Sequence, residues 1–278
     1  MPDRLEVTDP DGLVSVVFRW SPPAGTTARA VLHIIHGWCE HAMRYDRPAR
    51  QLAAAGIAVY ADDHRGHGET GTRNGTTGHL GPGGHEGAVE AVHAVSRAAR
   101  EAEDDRLPFF ALGHSWGSLL LGRYLERWSG ELAGAVLTGT TYLALGQKGD
   151  RNYNARFEPG RTPYDWLSRD ADEVDRYAAD PFCGFDVMKE PIDLKAPKRG
   201  IDAPIRASLP LLIVNGADDP VGGEEAARLL AERYVERGLT DVTWKAYAGA
   251  RHELLNEIEP CRTEVLGDIR AWLDARIG

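Results

Sequence analysis

Cysteine is scarce in this chain. Cys39, Cys183 and Cys261 are its only three, spread over 278 positions. An odd count at wide spacing excludes a disulfide framework and a zinc motif. It reads as free thiols, buried or half-buried, in a reducing compartment. Long apolar runs are missing as well. None approaches the roughly 18 residues needed to span a bilayer, and the opening MPDRLEVTDPDG lacks the apolar core of a signal peptide. Basic charge is in deficit, with 32 Lys and Arg against 42 Asp and Glu and a net charge of -10. Nucleic acid and anionic membrane both require a basic footprint, so neither is expected as the main partner. Internal repeats and low-complexity tracts are also absent. The expectation is a cytoplasmic soluble protein, monomer or homodimer.

What is present is ordinary globular material: 42% hydrophobic and 27% charged residues, in a chain long enough to bury a substantial core. Seven short apolar runs read as strands: VSVVFRW, AVLHIIHG, IAVYADD, PFFALGHS, LAGAVLTGT, LPLLIVNGADD and DVTWKAYAG. Helical patterns alternate with them. RPARQLAAAG stops at Gly56, and EGAVEAVHAVSRAAREAEDD puts Val89, Val92 and Ser96 on one face. GSLLLGRYLERWSG, EEAARLLAERYVERG and EVLGDIRAWLDARI complete the set. Near-continuous apolar strands alternating with helices predict an α/β fold, a mostly parallel sheet covered on both faces. Two strands before any helix suggest an antiparallel edge.

Residues 141–207 break that rhythm and contain no clear strand. Asp170 to Asp180 is a short helix candidate there, with Asp170 and Glu173 as an N-cap pair and Pro181 as the stop. Seven aromatics between Tyr153 and Phe185 argue against disorder. A long insertion inside a compact domain then reads as a functional lid.

The most informative stretch is Gly113-His114-Ser115-Trp116-Gly117, between an expected strand and an expected helix. A G-x-S-x-G turn places its serine at the apex of a strained bend, and the flanking residues must be small to avoid strand and helix. A serine needs a base and a group that orients the base. Later in the chain, Asp218 and Asp219 end a strand, and His252 falls in the loop after the last one. Asp219 precedes Pro220, which biases it toward extended backbone, but residue chemistry leaves both carboxylates open. Backbone N–H groups must also stabilise the oxyanion. Trp116 follows the serine and supplies one; Trp38, after His36-Gly37, supplies the other. Their rings would either wall an apolar acyl pocket or pack in the core.

Six stretches together resemble the α/β-hydrolase superfamily, in its monoglyceride lipase and lysophospholipase branch. They are HIIHGWCEHAMRYD (His33 to Asp46), ADDHRGHGETG (Ala61 to Gly71), GHSWGS (Gly113 to Ser118), WLSRDADEVDRYAADPFCGF (Trp166 to Phe185), NGADDPVGG (Asn215 to Gly223) and YAGARHELLNE (Tyr247 to Glu257). The resemblance implies the α/β-hydrolase fold, with eight strands and a helical cap inserted after the sixth. The core would be 1–140 and 208–278, and the cap 141–207. It implies Ser115, Asp219 and His252 as the catalytic triad, with Asp218 a neighbour. Glu40, His41, Arg44 and Tyr45 match the supports beneath the oxyanion loop. Trp38, Trp116, Tyr142, Trp166 and Val221 are expected to line the substrate site. The family turn often continues DHRGHG with Ser, where this chain has Glu69-Thr70, and Trp38 and Trp116 are bulkier than its usual residues. Both departures bear on acyl-chain preference.

The expected partner is a small ester or lipid-like substrate, with transient membrane or micelle contact through the cap. No cofactor and no metal are expected in the chemistry. His64-Arg65-Gly66-His67, with Asp62, Asp63, His36, His41, His79 and His85 nearby in sequence, could suggest a metal hydrolase, but Gly66 and Gly68 disrupt any HExxH helix. A silent binding scaffold should have lost a triad member. The same triad also serves short-chain esters, thioesters and lactones.

Overall fold

The computed structural model describes residues 1–142, 152–185 and 205–277. Parts of the 141–207 segment, 143–151 and 186–204, therefore lie outside the described residues. An eight-stranded sheet runs in the order β1-β2-β4-β3-β5-β6-β7-β8. The strands are β1 (Asp3–Thr8), β2 (Val14–Trp20), β3 (Ala30–Ile35), β4 (Ile57–Asp62), β5 (Phe109–His114), β6 (Gly134–Thr138), β7 (Leu211–Gly216) and β8 (Val242–Tyr247). β1 pairs antiparallel with β2 and β2 with β4. Every other pairing is parallel.

Seven expected strands are present; β2 keeps its expected bounds and the other six are trimmed by one to a few residues. β1 has no apolar alternation because it is an exposed edge, DRLEVT, with its side chains toward solvent. The antiparallel edge forms, but from β1 and β2; AVLHIIHG instead becomes β3, at the centre of the sheet.

Alternate residues of the central strands feed two separate cores. Val31 and Ile35, Phe109 and Ala111, and Leu211 and Ile213 pack on one face. Leu32 and Ile34, Phe110 and Leu112, and Leu212 and Val214 pack on the other. A period of two with both faces covered produces the continuous apolar runs read in the sequence. Each such side chain contributes about 1.5–3 kcal/mol by leaving water. The first core is closed by α3 (Gly84–Glu101), α4 (Trp116–Trp128) and α6 (Gly223–Glu236), and the second by α1 (Asp46–Ala54) and α7 (Cys261–Ile277). Val89, Val92 and Ser96 of α3 all face inward.

α2 (Gly68–Asn74) has no counterpart among the sequence-based expectations. Its GETGTRN is poor in helix formers. It forms because Asp63 accepts the Glu69 N–H at 2.6 Å and because Asn74 caps the β2 backbone. Between β6 and β7, the described residues hold α5 (Ala171–Ala179) and no strand. The Asp170 carboxylate accepts the N–H groups of Asp172 and Glu173, as the N-cap signature requires. Leu167, Tyr177 and Cys183, with Tyr164 and Trp166 beside them, form a small core of their own.

Candidate functional site

Parallel pairing brings the ends of β3, β5, β7 and β8 to one edge of the sheet. β3 leads outward to β4 in one direction, while β5 lies on its other side. A crevice opens where strand order reverses in this way. The Ser115 turn and the 36–41 loop both sit there.

Ser115 adopts φ 51°, ψ -120°, and it and Cys39 are the non-glycine residues with positive φ among those described. Such backbone stores about 1–3 kcal/mol and persists only when its surroundings hold it. The Ser115 N–H donates to the Thr138 carbonyl at 2.9 Å, and the Ser118 hydroxyl donates to the Ser115 carbonyl at 2.6 Å. Both flanking glycines are sterically required. A Cβ on Gly117 would lie 2.1 Å from the Ile35 carbonyl oxygen, and one on Gly113 2.5 Å from that of Gly117. Trp116 opens α4, so its N–H is one of those that no helical carbonyl can satisfy.

The loop after β3 abuts this turn. A Cβ on Gly37 would stand 3.1 Å from the Ser115 Cβ. Glu40 accepts the Gly37 N–H at 2.5 Å, and His36 Nδ1 donates to the Gly37 carbonyl at 2.7 Å. The Gly37–Trp38 peptide is trans. Its N–H therefore points opposite to the pinned carbonyl, which fixes the direction of the Trp38 N–H. Beneath it, Asp62 binds His33 and His64, each at 2.8 Å, and His36 accepts the His64 N–H at 3.0 Å. Burial holds His36 well below the usual imidazole range, with the neighbouring His64 and His67 adding to the effect. His36 thus serves as a hydrogen-bonding strut of this loop, joining the Gly37 carbonyl to the His64 N–H.

On the other side, His252 Nδ1 lies 2.9 Å from Asp219 Oδ2. Asp219 Oδ1 accepts the Val221 N–H at 2.8 Å. Asp219 is buried, whereas Asp218 is exposed and offers its N–H to the Ala250 carbonyl. Of the two carboxylates that residue chemistry leaves open, it is Asp219 whose side chain turns to His252. Burial opposes a charge on His252, but the carboxylates of Asp219, Glu253 and Glu40 together outweigh it, so the imidazole pKa is raised above its ordinary value. Donation through Nδ1 leaves Nε2 as the basic nitrogen. Gly216 holds the two loops together, since a Cβ there would meet the Arg251 carbonyl at 2.1 Å.

Of the expected supports, Glu40, Arg44 and Tyr45 lie together beneath the loop. Tyr45 donates to Glu40 at 2.9 Å, and Arg44 reaches Glu40 at 2.9 Å and both Glu253 oxygens at 2.6 Å. His41 faces elsewhere, with Nε2 3.0 Å from Asp180 of the inserted segment. Glu253 escaped sequence reasoning; it is next to His252, but its partner is 209 positions away. Of the expected lining residues, Trp38 is half-buried and meets the Trp116 ring edge-on, centroids 4.5 Å apart. Trp116 is buried and donates through Nε1 to His85 at 3.2 Å. The Trp166 ring is 4.9 Å from that of His252. Val221 is half-buried beside Asp219, and Tyr142 packs at the margin of the first core.

Residues 26–259 match the family model described as serine aminopeptidase, S33. The monoacylglycerol lipase of Mycolicibacterium smegmatis is 33% identical over 94% of both chains. The human monoglyceride lipase is 28% identical over 99% of this chain and 91% of its own. A thermostable carboxyl esterase from Bacillus coagulans, solved with glycerol, superposes with a TM-score of 0.86 at 27% identity, covering 99% of each chain. Fold, motifs and kinship agree: the chain belongs to the S33 serine hydrolases of the α/β-hydrolase superfamily, in the branch that resembles monoglyceride lipases.

Proposed function

We propose that this chain hydrolyses lipid-like carboxylic monoesters, of monoacylglycerol or lysophospholipid type, through a Ser115–His252–Asp219 triad. Ser115 attacks the ester carbonyl while His252 Nε2 takes its proton. The Trp38 and Trp116 N–H groups stabilise the oxyanion, each contributing about 3 kcal/mol. His252 then protonates the leaving alcohol, and water cleaves the acyl-enzyme in a second half-reaction. Asp219 holds the imidazole tautomer throughout. The observation that carries this reading is the buried 2.9 Å contact between Asp219 and His252, beside a serine in strained backbone.

Residues 141–207 act as the cap over a core of 1–140 and 208–278. Trp38, Trp116, Tyr142, Trp166 and Val221 shape the acyl site. The kinship to monoacylglycerol lipases and to a carboxyl esterase supports an ester substrate. A short-chain carboxylesterase is the second reading, favoured by the two tryptophan rings packed against each other where an acyl chain would enter. Among the described residues no helix is long and apolar enough to cross a membrane. Encounter with lipid is transient and through the cap, and the cytoplasm fits cysteines that form no disulfide among the described residues.

Initial rates on p-nitrophenyl esters of increasing acyl length test this, with Ser115→Ala as control. Turnover should peak at medium or long chains and fall at least about 10³-fold in the variant. A short-chain optimum would favour the second reading. Near-normal activity in Ser115→Ala would sink both.

A further inference from the structure

Apart from the triad, a second set of chemically potent side chains meets where the inserted segment touches the 36–41 loop. His41, Asp180 and Cys183 place one potential ligand atom each within 4.8 Å of one another. His41 and Cys183 are buried and Asp180 is half-buried. His41 begins the short helical turn Ala42–Tyr45, and Asp180 ends α5. The Asp180 carboxylate is already oriented, since Oδ1 accepts the Phe182 N–H at 2.8 Å. The Cys183 N–H donates to the Asp180 carbonyl at 3.0 Å, closing the turn that carries both ligands.

We propose that His41, Asp180 and Cys183 form a binding site for a divalent transition ion of the zinc class, clamping the inserted segment to the oxyanion loop. Imidazole, carboxylate and thiolate are the ligand types that such ions take, and three protein ligands leave a fourth position for water. Tetrahedral bonds of about 2.0–2.3 Å require ligand–ligand edges of roughly 3.3–3.8 Å. The group needs to close by about 1 Å at its widest, and the His41–Asp180 hydrogen bond at 3.0 Å opens to admit the ion. Metal binding releases the Cys183 thiol proton to solvent as the sulfur–metal bond forms.

The surroundings favour a cation. Burial pushes the Cys183 thiol up, and the carboxylates of Asp180, Glu40 and Glu253 act on the sulfur in the same sense, against the guanidinium of Arg44. That balance opposes a bare thiolate but welcomes a bound dication. The joint it would clamp also carries the Arg44 guanidinium over the Tyr177 ring, 4.7 Å from its centroid. The Cys39 carbonyl accepts the Tyr177 hydroxyl and the Gly184 N–H, each at 3.0 Å. This site lies outside the proposed ester chemistry and does not depend on it.

Titration of the full chain with Co²⁺ tests the assignment. One equivalent should produce intense four-coordinate visible bands and a thiolate-to-cobalt charge-transfer band, both abolished by one equivalent of Zn²⁺. Cys183→Ser should remove the charge-transfer band, while Cys39→Ser and Cys261→Ser keep it. Asp180→Asn should weaken binding by at least ~10-fold. Absence of a charge-transfer band in the folded wild-type protein would overturn the site. So would a band that survives Cys183→Ser, or one that is lost in Cys39→Ser instead.

Discussion

The strand-end loops and the inserted segment 152–185 are held by different forces. At the strand ends, backbone touches backbone. Gly113, Gly117 and Gly216 each stand where a single added carbon would overlap a carbonyl. The inserted segment attaches largely through side chains, Tyr177 to Cys39, His41 to Asp180, Arg47 to Glu173 and Arg251 to the 165–168 backbone, beside main-chain hydrogen bonds from Gly184 to Cys39 and from His252 and Glu253 to Trp166 and Leu167. Main-chain contact fixes geometry to fractions of an ångström and tolerates almost no substitution. Polar side-chain stitches are individually replaceable. On the proposed function, the chemistry rests on the part of the fold that cannot vary, and substrate choice on the part that can.

The sharpest way to break this comparison is at the triad itself. Asp219→Asn should reduce kcat by about 10⁴-fold through the wrong imidazole tautomer. Asp218→Asn, on an exposed neighbour, should change it by no more than a few-fold. The reverse ranking would contradict the side-chain directions. The pH profile sharpens the same point. His252 works as a base only when neutral, and Asp219, with Glu253 and Glu40, holds its pKa above its ordinary value. Activity in kcat/KM should therefore fall as pH drops through that raised value. In Asp219→Asn the largest raising charge is gone while burial remains, so the residual acid limb should move to lower pH. A wild-type rate that stays flat into the carboxylate range would exclude a histidine base.

Gly117→Ala comes next. Its Cβ would sit 2.1 Å from the Ile35 oxygen. Denaturant unfolding should show a loss of about 3 kcal/mol, with activity lost alongside. Wild-type stability would show that the turn can relax. The smallest effect is expected in the inserted segment. Tyr177→Phe removes the hydroxyl on Cys39 and should cost about 1 kcal/mol, raising KM more than it lowers kcat. A hundredfold fall in kcat would mean that the segment is part of the catalytic frame.

The same contrast explains what the sequence revealed. The serine turn was legible because its glycines are forced by local geometry and its strand and helix flank it directly. The helix cap at Asp170 was legible for the same reason, as cap and N–H groups are neighbours. β1 was not, because an exposed edge strand needs no apolar alternation, and α2 was not, because tertiary hydrogen bonds override its poor propensity. Asp219 over Asp218 depends on side-chain direction, to which residue chemistry is blind, so the sequence offered it only through family resemblance. Glu253 gripping Arg44, and His41 turning away toward Asp180, are meetings of residues 209 and 139 positions apart. No local pattern encodes them.

The central claim is that Ser115 is the nucleophile and that the His252–Asp219 pair activates it. Reaction of the intact protein with a fluorophosphonate, followed by peptide mapping, tests it most directly. One adduct per chain should form, on Ser115, with the rate of labelling sharply reduced in His252→Ala and Asp219→Asn. A fully esterase-active protein that carries its adduct on another residue, or labels equally fast without His252, would contradict the account.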